Sequence, residues 1–319
     1  MCNSSSWHMD KSNLENPLFT VYYILVCIVA IPGNILALWV FFYNYKSDTN
    51  IVFLRNLALA DISYILILPM RIIYHMSDNN WLLGEPSCRL LGFLFYLNMY
   101  GSLYFMMCIS LDRFLAIVFP VKSMKVRKPV YAQIVSVILW VMLITSMLPL
   151  LLSNQTVQRN ATTECLQLYR EKTSRRALVS LSIAFIIPFI AVLCSYIAIV
   201  HALWRGGNIK ETIKNKAIKL TVMILVIFVV CFVPYHVSRF AYILAFNQKN
   251  RPCTSTHFHS NRITSALTSL NGALDPIMYF FVTQKFRNAF LKLVCRKEGN
   301  NIGQLKTTNR QSRKQSKTS

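Results

Sequence analysis

The chain has 319 residues, 54% of them hydrophobic and 14% charged, with 34 Lys and Arg against 12 Asp and Glu and a net charge of +22. A soluble globular domain carries about 25% charged residues, so this composition excludes one and points to a membrane protein. The basic residues fall in short gaps between apolar runs and in the C-terminal tail, the pattern of a cytoplasmic membrane face rather than of a surface for a nucleic acid polymer.

A helix needs about 20 mostly apolar residues to cross a hydrocarbon core about 30 Å thick. Seven segments qualify: Leu18–Tyr43, Ile51–His75, Cys88–Phe119, Tyr131–Leu152, Ala177–Trp204, Leu220–Phe246 and Ile263–Val282. Spans 1 and 4 carry no charge at all, whereas spans 2 and 7 contain polar groups and read less apolar. No apolar stretch precedes Leu18, so the first span is expected to target the chain itself. The expected organisation is an all-α membrane protein: an extracellular N-terminus over 1–17, a seven-helix domain over 18–283, a juxtamembrane amphipathic helix over 284–296, and a disordered basic cytoplasmic tail over 297–319.

The loops set an orientation. Lys46 and Arg55, then Lys122, Lys125, Arg127 and Lys128, then Arg205, Lys210, Lys214, Lys216 and Lys219 fall in alternate gaps, and the tail adds more. Positive residues stay inside, which puts the N-terminus outside and the C-terminus in the cytoplasm of a multi-pass plasma-membrane protein. Glycosylation sequons at Asn3, Asn154 and Asn160 lie on that outer side. So do Cys2, Cys88, Cys165 and Cys253, in the oxidising compartment. Four outer cysteines allow two bridges: Cys88–Cys165 would tie the top of span 3 to the second outer loop, and Cys2–Cys253 the N-terminus to the third.

Asp61, Arg71, Arg113, Arg239 and Asp275 fall in or near the spans. Charges there are costly and usually face the bundle interior, as functional groups or as polar staples between helices. At this point the sequence resembles the rhodopsin-like G-protein-coupled receptors, with a motif in each span in order. These are Gly33-Asn34, Leu57-Ala58-Leu59-Ala60-Asp61, Asp112-Arg113-Phe114, Trp140, Pro188 with Tyr196, Phe228 to Tyr235 around Pro234, and Asp275-Pro276-Ile277-Met278-Tyr279. Phe114, Phe232 and Asp275 depart from the usual Tyr, Trp and Asn, in the manner of the purinergic and lipid-mediator branch. Phe93 to Tyr100, Val233 to Val237 and Leu270 to Phe281 look like nucleotide and cysteinyl-leukotriene receptors.

The resemblance implies roles. Asp61, Asn98, Ser102, Asn271 and Asp275 would form an oxygen-rich pocket, where two buried carboxylates need a proton or cation and an allosteric sodium ion fits; no other cofactor or metal is expected. Asp112, Arg113, Pro120, Val121, Tyr196 and Tyr279 would couple to a heterotrimeric G-protein, with the inhibitory type favoured. Retinal is excluded because span 7 has no Lys, and a cationic amine is disfavoured because Phe95 stands where amine receptors carry Asp.

The outer half of the bundle offers positive charge instead: Arg71, His236, Arg239 and Arg262, with Arg175 and Arg176 at the mouth of span 5. Guanidinium groups bind phosphate and carboxylate as a two-pronged fork, more strongly where water is excluded. Tyr96, Tyr100 and Tyr235 would add hydroxyls and ring faces. The expected ligand is therefore an extracellular anion, a uracil nucleotide, sugar nucleotide or cysteinyl leukotriene. Arginines that only snorkel to the interface are the competing reading.

On the inner side, Phe286, Phe290 and Leu291 form the apolar face of a helix whose lysines and arginines meet membrane lipids, with Cys295 as a palmitoylation candidate. The Ser- and Thr-rich tail is a candidate for receptor kinases and arrestin. The rival reading is an ion-coupled transporter or channel using Asp61 and Asp275 as a relay. No hydrolase, zinc-protease or phosphate-loop motif occurs, so no enzyme is expected.

Overall fold

The structure, a computed structural model, describes residues 15–43, 48–159, 162–166, 175–205, 211–247 and 255–293. Helix α1 spans Glu15–Tyr43, α2 Thr49–Ile65, α3 Leu68–Met76, α4 Gly84–Val118, α5 Pro120–Val126 and α6 Pro129–Leu152. A hairpin of β1 (Thr156–Arg159) and β2 (Thr162–Cys165) follows, then α7 (Arg175–Trp204) and α8 (Glu211–Ile227). A π-helical turn over Phe228–Phe232 leads into α9 (Val233–Asn247), then come α10 (Ser255–Val282) and α11 (residues 284–293).

Among the described residues, six stretches are long and apolar enough to cross a bilayer: Glu15–Tyr43, Thr49–Met76, Gly84–Val118, Pro129–Leu152, Ser182–Trp204 and Ala217–Leu244. The seventh, α10, has 28 residues and so a length of about 42 Å. Its low apolarity has a structural cause. Ser265, Thr268, Ser269, Asn271 and Asp275 are buried in the bundle, while Ile263, Ile277 and Phe281 face outward. The polar residues that weaken the seventh span as a sequence signal therefore never meet lipid.

Two expected spans are not continuous α-helix. The second breaks at Leu66–Ile67, because Pro69 lacks the N–H that a continuous ladder needs. The Ile67 N–H turns back to the Tyr64 carbonyl, three residues away, at 3.0 Å. The sixth widens ahead of Pro234, where the Val233 N–H reaches the Phe228 carbonyl five residues back. The seventh begins at Ser255, two turns before the apolar run starts.

Helix α4 is the central post, packed against α2, α6 and α7. Helices α1 and α10 are joined by short polar contacts: Asn34 Nδ2 donates to the Gly272 carbonyl at 2.7 Å, and Tyr22 Oη donates to the Ala266 carbonyl at 2.6 Å. Gly33 allows this approach, since a Cβ there would lie 2.6 Å from the Pro276 ring. Gly33→Ala must push the two helices apart, and overpacking of this kind costs about 1–3 kcal/mol. The expected result is a clearly lower Tm in detergent than for the unsubstituted protein; an unchanged Tm would mean the helices separate without cost.

The hairpin sits across one end of the bundle. Thr156 pairs with Cys165, and Cys165 is disulfide-bonded to Cys88 in the first turns of α4. The α3–α4 connection adds to it, with the Trp81 N–H donating to the Thr163 carbonyl at 2.8 Å. At the opposite end, α11 folds back as expected, but its apolar side chains divide. Phe286 is buried against Tyr279 and Phe41, with ring centroids 5.9 and 6.4 Å apart, whereas Phe290 and Leu291 stay exposed. Cys2, Asn3, Asn160, Cys253, Cys295 and the tail lie outside the described residues.

Candidate ligand cavity and signalling face

Below the hairpin, α4, α6, α7 and α9 enclose a cavity of about 610 Å³. Tyr96, Tyr100 and Tyr104 come from α4, and Leu143 and Met147 from α6. Ser153, Asn154 and Gln155 form its rim, and Arg239 and Ile243 come from α9. Among the described lining residues Arg239 is the only cation. It is 3% exposed, with its guanidinium carbon 5.3 Å from the centre of the Tyr242 ring. A guanidinium so placed keeps its charge in a poorly hydrated setting, where a phosphate or carboxylate is bound more tightly than in water.

The expected binding residues divide into three groups. Tyr96, Tyr100 and Arg239 line the cavity. Tyr235 and His236 stand directly behind it. Tyr235 Oη is 3.4 Å from Tyr96 Oη, and the His236 ring is stacked 4.1 Å from Phe185 and packed edgewise on Tyr100. His236 Nδ1 donates to the Phe232 carbonyl at 2.8 Å, which assigns the proton to that nitrogen. Its buried Nε2, with no hydrogen-bond partner among the described residues, is then an acceptor.

Arg71 and Arg262 lie elsewhere. Arg71 is fully buried on α3, with Nη1 donating to Tyr23 Oη at 3.1 Å and its guanidinium 4.7 Å from the Phe95 ring. Phe95 packs on Tyr96 and Tyr235, so Arg71 is one aromatic layer behind the cavity wall. Arg262 ties the start of α1 to α10, donating to Glu15 Oε2 at 3.2 Å and Asn16 Oδ1 at 3.0 Å. The side chains of Arg175 and Arg176 lie outside those described.

Deeper in the bundle, Asp61 Oδ1 accepts from Asn98 Nδ2 at 3.2 Å and Asn271 Nδ2 at 3.3 Å, and Asn98 also reaches Ser102 Oγ at 3.4 Å. Asp61 Oδ2, Asn271 Oδ1 and both Asp275 carboxylate oxygens are buried with no hydrogen-bond donor among the described residues. Four buried acceptors with so few donors are costly until a proton or cation joins them. The donor set, all oxygen, fits a small hard cation.

At the far end, Asp112 is clasped from two sides. Arg113 Nη2 donates to Oδ2 at 2.9 Å, and Arg127 donates through Nε to Oδ1 at 2.7 Å and through Nη2 to Oδ2 at 3.0 Å. The Asp112 carboxylate raises the Arg127 pKa above its ordinary value. Tyr279 is buried between Phe41 and Phe286, its Oη without a partner among the described residues. Tyr196 is half-buried on α7, Pro120 opens α5, and Val121 beside it is 74% exposed. Sequence reasoning missed Arg127, which read as one more positive charge in the 122–128 run; only contact with Asp112 sets it apart.

The sequence profile described as "7 transmembrane receptor (rhodopsin family)" matches residues 33–279. The chain belongs to that family and is a class A G-protein-coupled receptor, a multi-pass membrane receptor and not an enzyme. Among curated proteins it is 53% identical over 291 residues to "Uracil nucleotide/cysteinyl leukotriene receptor" of Rattus norvegicus, covering 90% of this chain and 86% of the relative. The Homo sapiens protein of that name is 54% identical, covering 90% and 79%. Purinoceptor 1 of Homo sapiens is 31% identical over 289 residues, covering 88% and 78%. These matches identify the purinergic and leukotriene branch, and they favour a receptor over a transporter or channel.

Proposed function

We propose that this receptor binds an extracellular anion, a uracil nucleotide, sugar nucleotide or cysteinyl leukotriene, and activates a heterotrimeric G-protein of the inhibitory type. The observation that carries the reading is Arg239, a buried cation on the wall of a cavity otherwise built of rings, hydroxyls and apolar groups. The names of the relatives support the same ligand classes. Tyr96 and Tyr100 hold the uncharged part of the ligand beside Arg239. Tyr235 and His236 stiffen that wall, and Arg71 and Arg262 add positive potential behind it. Occupancy is transmitted to Asp112, Arg113, Tyr196, Tyr279 and the docking residues Pro120 and Val121. The N-terminus is extracellular and the tail cytoplasmic, where kinases and arrestin act. Cys2–Cys253, glycans at Asn3, Asn154 and Asn160, and palmitate on Cys295 complete the same reading.

The test is guanine-nucleotide exchange in nanodiscs with purified inhibitory and stimulatory heterotrimers. A member of the three anionic classes is expected to raise exchange on the inhibitory heterotrimer, and a cationic amine is not. Response only to uncharged or cationic compounds overturns the reading.

The oxygen cluster at Asp61 and Asp275 holds a sodium ion in the resting receptor, which neutralises two carboxylates that otherwise repel. Raising sodium to about 150 mM against choline, at constant ionic strength, is expected to lower agonist affinity. Asp61→Asn removes one carboxylate and is expected to abolish that dependence; a sodium effect of full size in this variant excludes the site.

A further inference from the structure

We propose that Glu85 is the positioning residue of the cavity rim: it holds Asn154–Thr156 in place through the backbone and so sets ligand affinity without touching the ligand. Glu85 is in the first turn of α4 and is not part of the cavity lining. Its Oε1 accepts from the Gln155 N–H at 2.6 Å, and its Oε2 from the Thr156 N–H at 2.8 Å and from Thr156 Oγ1. Arg89, one turn on, donates through Nε to Glu85 Oε1 at 2.7 Å. The same guanidinium donates to the Leu151 carbonyl at 3.3 Å and to Asn154 Oδ1 at 2.5 Å. One carboxylate and one guanidinium thus grip the chain where it leaves α6 and enters β1.

Two features make this a positioning device rather than an ordinary surface ion pair. First, both carboxylate oxygens are spent on consecutive backbone amides, and charge-assisted bonds of that kind are about twice as strong as neutral ones. Second, the disulfide secures only β2 at Cys165, whereas Glu85 secures its partner Thr156 on β1. With one strand fixed covalently and the other electrostatically, the hairpin cannot pivot about Cys165. Ser153, Asn154 and Gln155, the rim of the cavity, are held as a consequence.

The inference rests on the ligand reading given above, and the experiment separates the two. Glu85→Gln preserves size but leaves one acceptor oxygen for two amides. Hydrogen–deuterium exchange on the full-length receptor in nanodiscs, without ligand, is expected to show the Gln155 and Thr156 amides exchanging at least tenfold faster. Basal guanine-nucleotide exchange and Tm are expected to stay near those of the unsubstituted receptor, readouts that a general folding defect would move. The dissociation rate of a uracil nucleotide or cysteinyl leukotriene probe is expected to rise about tenfold. Glu85→Asp, which keeps both oxygens, is expected to recover most of the amide protection, and it replaces Glu85→Gln if that variant does not reach the membrane. Unchanged amide exchange in Glu85→Gln overturns the clamp, and faster exchange with an unchanged dissociation rate overturns its link to the ligand. If neither probe binds the unsubstituted receptor, the ligand reading fails while the amide measurement still decides the clamp.

Discussion

Arg239→Ala is expected to weaken an anionic agonist at least tenfold at equal surface expression. A hydrogen bond to a charged group contributes roughly 1.5–3 kcal/mol, and each 1.4 kcal/mol is a factor of ten in affinity. Arg239 stands at the upper part of that range, because it is nearly inaccessible to water and is the one cation among the described cavity residues. The substitution removes a buried charge rather than stranding one, so the fold is expected to survive it. Arg239→Lys keeps the charge but loses the planar fork, and its loss is expected to be intermediate. Arg71→Ala is expected to weaken the same agonist tenfold by another route, since Phe95, Tyr96 and Tyr235 share its packing. Concentration–response curves for nucleotide exchange measure all three. Full potency in both alanine variants removes these arginines from the site.

Cys165→Ala is expected to be the most damaging single change outside the membrane. The Cys88–Cys165 bridge closes a sequence separation of 77 residues, and loss of such a bond typically costs 2–5 kcal/mol. Without it β2 loses its covalent anchor, and the hairpin is left with the Glu85 grip on β1 and the Trp81 and Asn80 contacts to Thr163. Surface biotinylation and thermal unfolding are expected to show little mature receptor and a markedly lower Tm. A variant that reaches the surface with unaltered Tm and potency shows that the non-covalent contacts suffice.

Arg239 and Arg262 look equivalent as letters, each an arginine near the outer end of an apolar run. In the fold they differ completely. One faces a cavity, and the other is spent on Glu15 and Asn16 across 246 or more positions of chain. Nothing local to either residue encodes that difference, because it depends on which helix packs alongside. Arg127 and Glu85 carry the converse lesson. Each reads as an ordinary loop or helix-end charge, and each acquires its role from one distant partner, Asp112 or the amides of β1.

Bilayer thickness and the cost of unpaired backbone groups in lipid make seven apolar runs into seven helices, and this much follows from the order of residues alone. The same order carries the family motifs, the excess of positive charge at one face, and the buried carboxylates Asp61 and Asp275. Packing decided the rest. The break before Pro69, the π turn before Pro234, the cavity wall at Arg239 and the withdrawal of Arg71 behind Phe95 all depend on contacts between segments far apart in the chain. Hydrophobic length is a sum over neighbours in sequence, whereas a binding surface is a product of neighbours in space.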